Sequence, residues 1–316
     1  MSATDAEDLV FPVQVAAPDL SPWLAGNTGI AGFHQVTAAA PGPHVGIIAL
    51  IHGNEIAGAI VLDRLLRANL QPRAGRLTLG FANLAAFSRF DPAQPTASRF
   101  LDEDLNRVWD RAILHGNRRS SELDRARALL PLIETMDTLL DLHSMLWPSD
   151  PLLLCGTTAR GRDLAMRLGT PPLVVADDGH ASGRRLIDFE RFVDPAGAAT
   201  AILLEAGQHW RMESVDLAES VVRALLGLHG MIEAAPGPPA PPARFARVTR
   251  AVSATTSQFN FVRQFRGGDV IAARDTLIAT DGPMEIRTPH ENCLLVMPSW
   301  RASRGHTAVR LAELTD

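Results

Sequence analysis

A chain of 316 residues, 46% hydrophobic and 21% charged, has core material for about two globular domains. Its net charge of −5, spread without long runs, points away from nucleic acid and anionic membrane as partners. All 30 basic residues are arginine and tyrosine is absent, which rules out Schiff-base chemistry, a Walker-type phosphate lysine, a Ser–Lys dyad and a phenolic acid. With only Cys155 and Cys293, neither a disulfide framework nor a cysteine-rich zinc knuckle is expected. The acidic start, Met1 to Asp8, lacks the basic-then-apolar order of a secretory signal. The apolar runs also fall short of the ~20 residues of a bilayer span, so a cytoplasmic location is expected.

In chain order, short β-like pieces at 10–15 and 32–37 precede a turn at Pro41-Gly42-Pro43. Residues 45–51 form an apolar, β-branched run that ends at His52. From Glu55 the apolar residues change period, with Ile56, Ala59, Ile60, Leu62, Leu65 and Leu66 on one helical face, predicting a helix over 54–69. Residues 76–82 alternate as a strand. An irregular stretch follows, 83–110, longer than loops inside compact domains normally run unless they are functional. Ser121-Glu122-Leu123-Asp124 opens a helix to about Met136, with Pro131 as a kink. Strands are expected at 138–142, 151–155, 173–176 and 199–204, with helices at 160–168 and 213–232 and a polar loop at 177–188. Five prolines and a glycine within 234–243 read as a linker. The rest, 244–316, is β-like with turn signals at 267–269, 281–283 and 288–289. The expected organisation is therefore a domain over 1–233, the linker, and a small β domain over 244–316 acting as a lid or oligomer contact.

Three buried strands end in ionisable residues: Ile51-His52, Leu142-His143 and Leu204-Glu205. One histidine after an apolar run is ordinarily a core or loop residue. Three such coincidences in an α/β sheet bring the groups to one crevice at the carboxyl ends of the strands. His52, Glu55 and His143 then make a two-histidine, one-carboxylate set with an open fourth position, as catalytic zinc requires. Glu205 is the spare carboxylate able to take a proton from the metal's water. His115-Gly116-Asn117 repeats the start of the His52 motif, but no strand precedes it and Arg118 stands where the glutamate should, so it reads as loop. His209 reads as a surface or supporting residue. In Ser98 to Arg107, the acids Asp102, Glu103 and Asp104 read as a solvated charge run. Arg99, Asn106 and Arg107 are the candidates for holding a carbonyl oxygen and a substrate carboxylate.

His-Gly-Asn-Glu-x-x-Gly at 52–58, Arg99 with Asp104-Leu105-Asn106-Arg107, Asp141-Leu142-His143 and the late Glu205 together resemble the succinylglutamate desuccinylase/aspartoacylase family, within the zinc carboxypeptidase-like superfamily. The resemblance covers about residues 20–210. It implies an α/β fold with a mixed central sheet flanked by helices and a small C-terminal β domain. It implies one Zn²⁺ held by His52, Glu55 and His143, Glu205 as general base, Arg99 on the carbonyl oxygen, and Asn106 and Arg107 on a carboxylate. Family members also present a tyrosine from the C-terminal domain and an arginine shortly before the glutamate. This chain lacks the tyrosine, for which His290 is the candidate replacement, and reads Asp194-Pro195-Ala196-Gly197 near the arginine position, with Arg191 the nearest arginine. The implied activity is hydrolysis of the amide bond of a small N-acylated amino acid or related amine. The alternatives are a zinc carboxypeptidase acting on peptides, with the same ligands, and a non-catalytic metal-binding protein, which would have no use for Glu205.

Overall fold

Runs that are apolar on both faces belong in the middle of a parallel sheet, and this chain buries its own there. The computed structural model describes residues 11–179, 182–233 and 242–315. In order these form Phe33–Thr37 (β1), Ala40–Ala49 (β2), Ile56–Arg67 (α1), Ala74–Phe81 (β3), Leu84–Phe87 (α2), Arg111–Leu114 (α3), Ser121–Ile133 (α4) and Thr138–Met145 (β4). Leu152–Leu154 (β5), Ala159–Leu168 (α5), Leu173–Ala176 (β6), Glu190–Val193 (α6), Thr200–Gln208 (β7) and Met212–Leu228 (α7) follow. After the proline-rich stretch come Arg244–Ser253 (β8), Phe259–Phe261 (β9), Val270–Ile271 (β10), Leu277–Asp281 (β11), Met284–Arg287 (β12), Cys293–Val296 (β13) and Thr307–Thr315 (β14).

One mixed sheet runs β1-β3-β2-β4-β7-β5-β6-β8-β14-β13-β10, and β12-β11-β9 form a smaller one. The centre, β3-β2-β4-β7, is parallel, with Ala49 beside Leu142 and His143 beside Glu205. That register puts the three chemically marked strand ends at one edge. Alternate residues serve opposite layers, as the strand period of two demands. Ile47 and Leu140 pack with Leu62 of α1 and Val221 and Leu225 of α7, while Ile48 and Leu139 pack with Leu123, Leu129 and Ile133 of α4. The fold is thus the mixed α/β sandwich the sequence led us to expect.

Several local expectations differ. The segment 11–15 is not a strand; Pro12 withholds an amide, and the segment is tied by Gln14 N–H to the Trp210 carbonyl at 3.0 Å. Val10 lies outside the described residues. Pro41-Gly42-Pro43 is no free turn but the irregular start of β2, where Gly42 lies so close to Gly75 that an added Cβ would meet its amide nitrogen at 2.8 Å. Pro131 falls in the last turn of α4, which stops at Ile133 rather than Met136. Residues 234–241 of the proline-rich stretch lie outside the described residues. Beyond it, β8 pairs in parallel with β6, so the C-terminal strands continue the central sheet. They also carry their own apolar cluster, including Val252, Phe259, Phe265, Ile278 and Leu295. Among the described residues no helix is long and apolar enough to cross a membrane.

Candidate metal centre and its cavity

At the end of β2 the chain turns through Leu50, whose φ of +61° is rare for an L-residue and needs its surroundings to hold it. They do: the Leu50 carbonyl accepts from Asn83 N–H at 2.8 Å. Gly53 follows His52 because an added Cβ there would meet the backbone of Ala86, Phe87 and Ser98 at 2.5 Å. Its amide donates to the Arg99 carbonyl at 3.0 Å, and the Asn54 carbonyl accepts from the Trp210 indole at 3.0 Å. Glu55 sits at the N-cap of α1, with its amide on the His52 carbonyl at 3.2 Å.

Donor atoms of His52, Glu55 and His143 all lie within 4.8 Å of one another, and all three residues are buried. His52 Nδ1 is 2.7 Å from Glu55 Oε1 and His143 Nδ1 is 3.1 Å from Glu55 Oε2. The outer Nε2 of each ring faces a carboxylate at 2.9 Å, Asp104 for His52 and Asp141 for His143. Each outer nitrogen also has a nitrogen neighbour, the Arg99 guanidinium at 2.9 Å from His52 and the Asn106 carboxamide Nδ2 at 3.3 Å from His143. A carboxylate behind an imidazole places the proton on the outer nitrogen and turns the other lone pair inward. Two inward Nδ1 lone pairs and a carboxylate then converge, a donor set that fits a divalent cation of the Zn²⁺ type. Burial alone would raise the Glu55 carboxyl, but His52 and His143 beside it hold it well below the usual carboxylate range. Burial works against a charged His143, yet Asp141 and Glu55 raise it well above an ordinary histidine. This excess of negative charge around the rings suits a cation.

Glu205, on β7 beside His143, has a buried Oε2 without a hydrogen-bond partner. Burial, and then the Glu55 charge, push its carboxyl up to about 8. Arg99 donates to Glu55 Oε1 at 3.1 Å. Asn106 is buried, its carbonyl oxygen fixed by the Leu186 amide at 2.7 Å, so its amide nitrogen is turned toward His143. Arg107 donates to the main-chain carbonyl of Asn106 at 2.6 Å. With His52, Glu55, His143 and Glu205, these three residues line one cavity of about 200 Å³.

The loop that carries Arg99 to Arg107 is held by a residue the sequence disguises. Glu122 reads as a first-turn acid of α4, but it is buried, and it accepts from the amides of Leu101 (2.7 Å), Asp102 (3.0 Å) and Glu103 (3.2 Å) and from Asn83 Nδ2 (3.1 Å). The solvated reading of the neighbouring acids fails for Asp104, which orients His52. Its carboxyl lies far below the ordinary range: burial opposes this, but His52 and the cations Arg99 and Arg107 prevail. Asp102 and Glu103 bond locally, to Ser121 and to Ser120 and Arg118.

Two further arginines line the cavity, Arg185 and Arg310. Arg310 comes from β14, the last strand, and its Nε is 2.7 Å from Asp177 Oδ2, which Arg185 NH1 also meets at 3.1 Å. Arg191 lies elsewhere, donating to the Met136 carbonyl at 2.8 Å. His209, read as a surface or supporting residue, takes the supporting place: it is buried in the cavity lining with Nδ1 2.8 Å from Ser144 Oγ. His290 is not among the residues lining the cavity; the β12–β13 turn carries it to Thr249, whose Oγ1 is 3.0 Å from Nε2, and Met297, Pro298 and Arg310 are the C-terminal residues that line it. His115 is exposed at the end of α3, as its loop reading requires.

The family model described as "Succinylglutamate desuccinylase/Aspartoacylase catalytic domain" matches residues 41–225, more than half of the chain. Among solved structures, succinylglutamate desuccinylase from Vibrio cholerae is similar with a TM-score of 0.70 and 21% identity, over 90% of this chain and 85% of that one. The succinylglutamate desuccinylase of Vibrio parahaemolyticus gives 0.68 and 18%, over 90% and 87%. An aspartoacylase family protein from Mesorhizobium loti gives 0.65 and 19%, over 91% and 90%. Comparison with curated protein sequences returns no match. The matched catalytic domain spans every strand end and loop that builds the centre, and the chain belongs to the succinylglutamate desuccinylase/aspartoacylase family.

Proposed function

We propose that the protein is a zinc-dependent amidohydrolase that removes a short acyl group from a small N-acylated amino acid. The observation that carries this reading is the convergence of two imidazole Nδ1 atoms and a carboxylate beside the unpartnered oxygen of Glu205. His52, Glu55 and His143 would hold the ion. When bound, it supplies Lewis acidity, drawing the pKa of water toward ~7 and polarising the amide carbonyl.

The chain's own groups do the rest. Glu205 takes a proton from the attacking water as the new C–O bond forms, and returns it to the leaving nitrogen as the C–N bond breaks, giving a carboxylic acid and an amine. Its buried, unpartnered Oε2 is the acceptor this step needs, and the positive charge of a bound ion would favour the ionised carboxylate against the burial that raises it. Arg99, already directed at the centre, donates to the carbonyl oxygen as it becomes negative. Arg107 and the Asn106 amide bind a substrate carboxylate. The cavity is lined by Arg99, Asn106 and Arg107, by Arg185 and by Met297 and Pro298 after β13, and its volume of about 200 Å³ suits a small amide rather than a peptide chain.

The test is Glu205→Gln in metal-loaded protein assayed on N-acyl amino acids. The ion should be retained while kcat falls about 10²–10⁴-fold, the usual worth of general acid–base help. Near-normal turnover would remove Glu205 from the scheme.

A further inference from the structure

Beyond the metal ligands, the cavity lining is of two kinds. Arg99, Asn106, Arg107, Arg185 and Arg310 are charged or polar, whereas Met145, Leu146, Trp147, Leu154, Met297 and Pro298 are apolar. Trp147 is a fixed platform: its ring packs on Trp300 at 5.3 Å, Phe11 meets it edge-on at 5.7 Å, and its indole N–H donates to Ser299 Oγ at 3.1 Å. Met297 holds φ at +49°, a left-handed conformation an L-residue keeps only where its surroundings impose it, and such residues gather at ligand-binding sites.

The guanidinium groups decide how many carboxylates the cavity takes. Arg185 is committed to Asp188 through Nε (2.7 Å) and NH2 (3.0 Å), and to Asp177 through NH1 (3.1 Å). Arg310 meets the same Asp177 at 2.7 Å. Arg99 is held by Glu55 at 3.1 Å and Asp104 at 3.5 Å. Arg107 has the loosest carboxylate contact of the four, 3.8 Å to Asp104, and stands next to the Asn106 amide. One carboxylate is therefore provided for. A second would have to take Arg99 from Glu55 and Asp104, break the Asp177 cluster, or lie unpaired on methionine and tryptophan, and an unpaired charge on such a surface is strongly disfavoured.

Resting on the deacylase reading, we propose that the substrate carries a single carboxylate, bound by Asn106 and Arg107, and an uncharged apolar group, aliphatic or aromatic, that lies on Trp147 and Met297. The cavity of about 200 Å³ limits it to a small acylated amino acid.

The experiment uses the full chain loaded with zinc. N-acetyl-leucine and N-acetyl-phenylalanine are compared with N-acetylaspartate, N-acetylglutamate and N-succinylglutamate, by kcat/KM and by calorimetric binding to Glu205→Gln. The apolar monocarboxylates should be favoured about 10–200-fold, the range a hydrophobic pocket supplies. Trp147→Ala should collapse that ratio, and Trp147→Phe should restore most of it. A preference for the dicarboxylates, in turnover or in binding, overturns the substrate proposal and leaves the deacylase reading standing. Apolar preference in binding without hydrolysis of any compound supports the pocket assignment and overturns the deacylase reading.

Discussion

Glu122 offers a sharp perturbation because its role is invisible on the helix surface and explicit in the fold. Its carboxylate collects three backbone amides of the 101–103 loop and the Asn83 side chain, at 2.7–3.2 Å. In Glu122→Gln one oxygen becomes an NH₂ group. If the remaining oxygen keeps Leu101 and Asn83, the new donor faces the Asp102 and Glu103 amides, which then have no acceptor. Two hydrogen bonds to a charged group are lost, each worth about 1.5–3 kcal/mol, or about 3–6 kcal/mol together if the loop cannot relax. The loop will relax by opening locally before the whole chain unfolds. The change should therefore appear as fast hydrogen exchange at the 101–103 amides, a lower urea midpoint, and a fall in kcat/KM of about 10²-fold, the effect of an ångström-scale misplacement of Arg99 and Arg107. A variant within ±0.5 kcal/mol of wild type, as ordinary surface substitutions are, with those amides still protected, would refute the anchoring role.

Two other predictions follow from groups around the site and away from it. Asp104→Asn and Asp141→Asn each remove the carboxylate behind one imidazole and should weaken zinc binding about 10–100-fold in competition with a chelator; unchanged affinity would show that the outer nitrogens need no carboxylate. His44, on β2, is buried with Nε2 on Thr78 and Nδ1 on the Thr135 carbonyl, and burial, helped by Arg76, pushes its imidazole down to about 4. Because the unfolded chain titrates near ~6.5, it binds the extra proton between those values, so this contribution is complete above ~6.5 and is lost as pH falls toward 4. His44→Gln should flatten the stability–pH slope in that window by about one proton, measured by denaturant titration at several pH values; an unchanged slope would contradict the neutral buried ring.

The parts of the centre that the sequence revealed are those written in local code. An apolar run broken at His52, a period change at Glu55, and two further runs ending at His143 and Glu205 each depend on a few adjacent residues, and a parallel register then aligns them. What stayed hidden depends on distance. Asp104 looks like one of three solvated acids until the loop folds back on His52, 52 positions away. Arg310 is one arginine among 30 until β14 joins β8 and places it over Asp177. His290 reads as the C-terminal contributor, yet the turn after β12 points it at Thr249. The N-terminal segment reads as strand by composition, but Pro12 withholds an amide and the segment is tied to Trp210 through the Gln14 amide instead.

The central claim is that His52, Glu55 and His143 surround a single divalent cation. Elemental analysis of purified wild type, Glu205→Gln and His143→Ala, after removal of loosely bound metal, tests it most directly. The account predicts one zinc ion per chain in the first two and a large loss in the third. A wild type that retains no metal, or a His143→Ala variant that retains its full complement, would contradict it.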